Sequence, residues 1–236
     1  MKRARMMTGK TIPKAQNLHT SVYERLKSQI IDFTLKPGQK LQDRQLAIQL
    51  EVSRTPVREA LNRLVQEGFV RQTPGQGYFV KEITIKEIEE LYEVREALEV
   101  LAAKMAIQSI NNSQIKKLSE ILKRHKKLIQ NGTFESSLLE EAQFHKTIAL
   151  SSENQYLYGI ISNIFDKIAT YRGIGTLTLQ RTKIAYQQHE EIFNSLKEKD
   201  TRKLKKIMRR HITEARRDAI ERVKKEIGHL YLGYHD

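Results

Sequence analysis

The sequence predicts a mainly α protein: an N-terminal helix–turn–helix unit closed by a β-hairpin, then a C-terminal antiparallel all-α bundle. Three observations carry this. Apolar residues recur at helical spacing through most of the chain. Two short runs, Phe69–Gln72 and Tyr78–Val80, flank the turn-forming segment Thr73-Pro74-Gly75-Gln76-Gly77 and read as a hairpin. From Thr84 onward no β-rich stretch appears. A length of 236 residues suits one large domain or two modest ones. The division expected is an arm over 1–17, a first domain over 18–82, a helical domain over 83–228 and a tail over 229–236.

Val22, Leu26, Ile30 and Phe33 define the first helix, and Pro37-Gly38 forces a turn after it. Asp43 is expected to cap a short second helix carrying Leu46, Ala47 and Leu50. The third helix is expected to open with Thr55 as its cap and Pro56 at its first position, where a missing N–H costs nothing. Val57, Ala60, Leu61 and Leu64 form its apolar face, and Gly68 ends it in the left-handed conformation. The hairpin follows. Six further helices are expected near 84–108, 113–130, 134–151, 155–171, 180–198 and 201–227, separated by Asn, Gly and Ser breaks.

Charge narrows the function classes. Forty-two Lys and Arg stand against 28 Asp and Glu, a net charge of +14. Such an excess favours a polyanionic partner, nucleic acid first and an anionic membrane surface second. Residues 1–17 carry Lys2, Arg3, Arg5, Lys10 and Lys14 with no acid, the pattern of a flexible basic arm or a solvated tail. Cysteine is absent, which excludes disulfides, zinc fingers and thiol nucleophiles. No apolar run approaches the ~18 residues of a membrane span, and the basic N-terminus has no apolar stretch behind it, so no membrane partner and a cytoplasmic location are expected.

Helix, turn, helix, break, helix and hairpin make a winged helix-turn-helix, whose third helix is the right size for a DNA major groove. Arg54 and Arg58 lie four apart at the start of that helix, beside Ser53 and Thr55. Arginine holds a guanine edge or a phosphate through two parallel hydrogen bonds, and a helix N-terminus adds backbone donors for phosphate. Arg44 can reach the same groove edge, and the hairpin tip Gly75-Gln76-Gly77 lets the main chain approach DNA closely. An isolated arginine pair on a helix is ordinary surface charge. Three arginines around one candidate recognition helix, in a basic chain, favour DNA contact.

The segment LKPGQKLQDRQLAIQLEVSRTPVREALNRLVQEGFVRQTPGQGYFV resembles the DNA-binding domain of GntR-family transcription regulators. Its most specific part is SRTPVREAL followed by L-x-x-EG-F-V. The resemblance covers about residues 18–80. It implies operator contacts by Arg44, Arg54, Arg58 and the glycine turn of the wing. This chain departs from the family in having Phe33 where Gly is usual, Gln42 for a common acidic residue, and Gln76 where Arg-Gly is frequent in the wing.

In the helical domain the informative residue is histidine, of which there are seven: His19, His125, His145, His189, His211, His229 and His235. Glu141 and His145 share a helix face at i,i+4. His189 and His211 each lie roughly 15 Å from the Lys199-Asp200 turn if their helices pack antiparallel, so they are level. Three histidines and a carboxylate from three helices would form a site for Zn, Ni or a similar divalent metal, with positions left for water or a ligand. Spacing alone does not separate this from ordinary core or surface histidines.

Tyr92-x-x-Arg95-x-x-Leu98-Glu99, Glu-Ala-Gln-Phe-His (141–145), Ser152-x-Asn154, His189-x-x-Ile192 and Asp200 ahead of His211 resemble the ligand-binding FCD domain of the FadR-like GntR subfamily, over about 84–225. Many members hold a divalent metal through Asp and three His. The resemblance therefore implies a metal set of Glu141, His145, His189 and His211, with Glu in place of the usual Asp. Zn or Ni is expected before Mn. Arg95 reads either as an anchor for an effector carboxylate or as half of an ion pair with Glu99 at i,i+4 or with neighbours on the Glu90 side. Tyr92 and Asn154 are the other effector candidates, against simpler roles in core packing and helix capping.

The expectation is a ligand-responsive bacterial transcription regulator, not an enzyme. It is expected to be a repressor binding a palindromic double-stranded DNA operator as a homodimer and sensing a small carboxylic acid. The alternative is a metal-dependent hydrolase built on the His/Glu cluster, but no general base such as the Glu of an H-E-x-x-H helix stands beside the ligands. An RNA reader is disfavoured because RNP-type aromatics are missing.

Overall fold

A computed structural model describes residues 15–32, 34–82, 84–172 and 178–232. The chain divides into two compact units, 1–82 and 83–236.

The first unit contains α1 (Ala15–Ile31), β1 (Lys40–Leu41), α2 (Asp43–Leu50), α3 (Arg54–Gln66), β2 (Val70–Thr73) and β3 (Gly77–Val80). Val22, Leu26 and Ile30, four apart on α1, bury against Val57, Leu61 and Leu64 of α3 in one core. The strands pair antiparallel in the order β1-β3-β2. Tyr78 and Val80 of β3 turn into that core while Phe79 between them faces out, as a period of two requires. Strand β1 was not foreseen, since two residues are too short to show alternation. Backbone bonds from Gly38 N to Val80 O and from Val80 N to Gln39 O anchor it.

Three helix starts correct the sequence reading. Helix α1 begins at Ala15, so the last three residues assigned to the arm are helical, while 1–14 lie outside the described residues. Gln42 rather than Asp43 is the N-cap of α2; Asp43 is its first helical residue and directs its carboxylate to Arg54. Ser53 rather than Thr55 is the N-cap of α3, and Pro56 is its third residue. The first four helical N–H groups lack an intrahelical acceptor, so proline at the third position forfeits no helical hydrogen bond. Gly68 has φ +78, as expected past a helix end. Phe33 lies outside the described residues.

The second unit is an all-α bundle: α4 (Ile85–Ser109), α5 (Asn112–Gln130), α6 (Phe134–Ser151), α7 (Gln155–Arg172), α8 (Leu179–Lys197) and α9 (Thr201–Leu232). Capping boxes start α4 at Thr84 with Glu87 and α5 at Asn111 with Gln114. Asn154 accepts from Leu157 N at 3.0 Å and caps α7. Helix α4 packs against α6, α7, α8 and α9. A large core joins Ile88, Ala106, Phe144, Ile192, Met208 and Ile212, and a smaller one joins Ala102, Leu157, Ile161 and Phe165. Helix α9 continues to Leu232, past the expected end at 227 and into the expected tail. One glycine inside a helix, here Gly228, costs only about 1 kcal/mol against Ala, too little to stop it. The Gly173–Gly175 break and residues 233–236 lie outside the described residues.

Candidate functional site

In the first unit, Arg44, Ser53, Arg54, Thr55 and Arg58 are all exposed, on α2 and α3 or at the start of α3. Asp43 gathers two of them: its carboxylate lies 2.9 Å from Arg54 Nη2 and 3.9 Å from Arg58 Nε. The hydrogen bond from Arg54, then its charge, holds the Asp43 carboxyl below its ordinary range. Both side chains nevertheless remain about 60% exposed, and each guanidinium has five donors of which Asp43 engages few. At the wing tip, Gly75 and Gly77 have φ of +73 and +97, a region favouring glycine, and a Cβ on either would meet nothing within 4 Å. Gln76 between them is exposed.

Two features of this surface escaped the sequence reading. Tyr78 Oη donates to Asn62 Oδ1 at 2.7 Å, fixing the wing strand against α3. The strand register also sets Lys40, Phe79 and Arg71 in one row. Arg71 lies over the Phe79 ring at 4.5 Å and Lys40 at 5.9 Å, a basic and aromatic stripe across the sheet. The signal for it was the register, which only the pairing with β1 supplies.

In the second unit, Glu141 and His145 on α6, His189 on α8 and His211 on α9 do converge. All four are buried, and one ligand atom from each lies within 4.8 Å of the others. The Nε2 atoms of His145, His189 and His211 stand 3.1, 3.1 and 3.3 Å apart. Nitrogens bound to one ion at about 2.0–2.1 Å would stand about 2.9–3.4 Å apart between octahedral and tetrahedral angles.

The proton inventory points the same way. Gln188 Nε2 donates to Glu214 Oε2 at 2.6 Å, which turns Gln188 Oε1 toward His211 Nδ1 at 2.9 Å. Facing a carbonyl oxygen, that Nδ1 must carry hydrogen, so a neutral His211 presents a bare lone pair at Nε2. His145 Nδ1 meets the Glu99 carboxylate and is protonated for the same reason. With His145 neutral, two bare Nε2 lone pairs face each other, and a neutral His189 has one proton, which cannot satisfy both. Burial, with the neighbouring histidines, pushes His189 and His211 well below their ordinary pKa, so neither of these two rings brings an extra proton. A cation accepting all three lone pairs resolves the conflict, and Glu141 supplies a fourth donor. The residues therefore fit a divalent metal.

Arg95 takes the ion-pair role of its two sequence readings. It is fully buried, and its Nε donates to Glu99 Oε1, the predicted i,i+4 pair. Burial alone would raise the Glu99 pKa, but Arg95 and then His145 bring it down to about 2. Nη1 and Nη2 of Arg95 have no hydrogen-bond partner. Tyr92 is buried in the core and also lines a cavity beside Glu141. Asn154 takes the capping role, which uses its side-chain oxygen. Glu99 and Gln188 were not foreseen as partners of the histidines, nor Glu214 as the partner of Gln188; Gln188 precedes a candidate ligand, but nothing local shows where its amide turns.

Residues 90–214 match the FCD domain, and residues 18–80 match the family described as bacterial regulatory proteins, gntR family. An uncharacterized HTH-type transcriptional regulator of Bacillus subtilis, YdhC, is 28% identical over 190 residues, 80% of this chain and 85% of its own. The Nta operon transcriptional regulator of Aminobacter aminovorans is 28% identical over 201 residues, 85% of this chain and 94% of its own. The Escherichia coli regulator McbR is 31% identical over 158 residues, 67% and 71% of the two chains. The solved E. coli McbR/YncC structure shares the fold with a TM-score of 0.76 at 24% identity, over 87% of this chain and 98% of that one. These relatives are regulators, and the hydrolase alternative finds no support among them. No helix among the described residues is long and apolar enough to cross a membrane. The chain belongs to the GntR family and carries an FCD domain: it is a DNA-binding transcription regulator.

Proposed function

We propose that this regulator is a repressor that binds a pseudo-palindromic operator as a homodimer in the cytoplasm and changes its operator affinity on sensing a small carboxylic acid. Arg44, Arg54 and Arg58 contact the operator, with Ser53, Thr55 and the Gly75-Gln76-Gly77 tip against its backbone. Glu141, His145, His189 and His211 hold a divalent metal, Zn or Ni before Mn. Such an ion supplies a positive centre with open positions for an anionic ligand. Arg95 adds the donors of a buried guanidinium, and Tyr92 forms part of the wall.

The observation that carries the sensing role is the convergence of three buried imidazole Nε2 atoms, two of them with their protons committed elsewhere. A dimer gains support from exposed apolar residues on two mutually packed helices, Val94 and Leu101 on α4 and Tyr156 and Ile160 on α7.

The purified protein should gain thermal stability with Zn or Ni, because an ion bound to the folded state alone stabilises it by mass action. His211→Ala should abolish that gain and the effector response while operator binding by gel shift persists. No gain with Zn, Ni or Mn, together with an unaltered effector response in His211→Ala, would replace the metal by a metal-free acid pocket.

A further inference from the structure

Positive charge at the N-terminal end of a helix opposes the helix dipole, and like charges four residues apart on one helix repel. Helix α3 breaks both rules at once. Arg54 is its first residue and Arg58 its fifth, and its first turn holds no acid. Local rules broken in this way are expected where a surface serves function rather than folding. The compensation comes from the neighbouring helix. Asp43, at the start of α2, places one oxygen, Oδ2, 2.9 Å from Arg54 Nη2 and 3.9 Å from Arg58 Nε.

Stability does not account for this arrangement. The two arginine side chains are about 60% exposed and that of Asp43 is 22% exposed, and ion pairs open to water add little to folding. The geometry serves the arginines instead. Two long side chains are gathered to one point before any partner arrives, which lowers the ordering cost of binding. Arg58 brings Nε nearest the carboxylate, so its two terminal amino groups are left as a pair, the fork that fits O6 and N7 of guanine. The same carboxylate subtracts charge from a surface meant for a polyanion. That subtraction weakens attraction to every duplex alike, whereas the gathered forks offset it only where the right base edges are present.

We infer that Asp43 is a specificity-determining residue of operator recognition: it positions Arg54 and Arg58 for base edges and weakens binding to DNA of any other sequence. It acts through the two arginines and is a positioning residue in that sense. The inference rests on the reading above that those arginines contact the operator.

The test begins with the duplex that the full-length protein selects from a pool of random sequences. Affinities for that duplex and for a random duplex are measured by fluorescence anisotropy over a range of salt concentrations. Asp43→Asn removes the charge and keeps the shape. Its affinity for the selected duplex should fall roughly tenfold. Its affinity for the random duplex should hold or rise, with a salt slope steeper by up to about 1, because one opposing charge is gone. Asp43→Glu, which keeps the charge, should show the wild-type slope. Replacing guanines of the selected duplex by 7-deazaguanine, which lacks the N7 acceptor, should weaken wild-type binding more than that of Asp43→Asn. An equal loss on both duplexes in Asp43→Asn would make the residue structural and overturn the inference. So would an unchanged ratio of the two affinities, or the same 7-deazaguanine penalty in both proteins. Arg54→Ala and Arg58→Ala separate this inference from the reading beneath it. If neither loses affinity for the selected duplex, the operator contacts fall and the role of Asp43 falls with them. If both lose it while Asp43→Asn keeps the wild-type ratio, the contacts stand and the role of Asp43 alone falls.

Discussion

Gln188 accepts from His211 Nδ1 and donates to Glu214, and Glu99 joins His145 Nδ1 to Arg95. These contacts fix which nitrogen of each ring is free, and a ring turned the other way would offer an N–H to the centre instead of a lone pair. Outer partners of this kind typically change metal affinity by about 10- to 100-fold when removed. Gln188→Leu keeps the volume but leaves His211 Nδ1 without an acceptor. It should weaken zinc binding by roughly that factor, measured by competition with a chromophoric chelator. Unchanged affinity would mean that the ring is held by packing alone. The departure from the family at Glu141 belongs to this scale too. The longer carboxylate side chain places an oxygen within 4.8 Å of all three imidazole ligand atoms.

At the scale of the element, α3 presents its arginines because its other face is committed to the core. Val57, Leu61 and Leu64 are fully buried, which orients the helix and leaves Arg54 and Arg58 outward. Asp43 on α2 then holds both on one side. Arg54→Ala or Arg58→Ala should cost roughly 1–3 kcal/mol in operator affinity if the residue reads a base, and should leave binding to random duplex much closer to wild type. Gel shifts at one fixed salt concentration on operator and random DNA decide this. Loss equal on both would reassign the arginine to phosphate. The helix ends were the least legible feature at this scale. Asp43 and Thr55 are good caps by residue type, yet Gln42 and Ser53 hold those positions. Asp43 is drawn instead to an arginine eleven residues away, and a preference worth about 1 kcal/mol gives way to such a contact.

At the scale of the whole molecule, residues 1–17 supply five of the +14 net charges, with five bases and no acid opposing them. Deleting residues 1–14 should weaken operator and random DNA alike and lower the slope of log affinity against log salt, because such charges chiefly neutralise phosphate. A deletion that weakens the operator alone would show the arm reading a groove. Helical periodicity, Pro and Gly positions, caps and charge act over a few residues, so the nine helices among the described residues, the hairpin and the exposed arginines of α2 and α3 were open to reading from the chain itself. The pairing of β1 was not, since two residues carry no pattern and their strand exists only where β3 offers its edge. Spacing could bring His145 and Glu141 to one face and set His189 level with His211, but these histidines are as many as 66 residues apart. Whether their Nε2 atoms meet depends on how α6, α8 and α9 rotate about their axes as Phe144, Ile192 and Ile212 pack into one core. The proton positions depend in turn on Glu99 and Gln188, brought in by that same packing. The sequence by itself determined the helices and their exposed chemistry, because local interactions set them. The tertiary structure alone decided the donor geometry and left two guanidinium nitrogens of Arg95 without partners, because side chains distant in sequence acquire a common site only when the core closes around them.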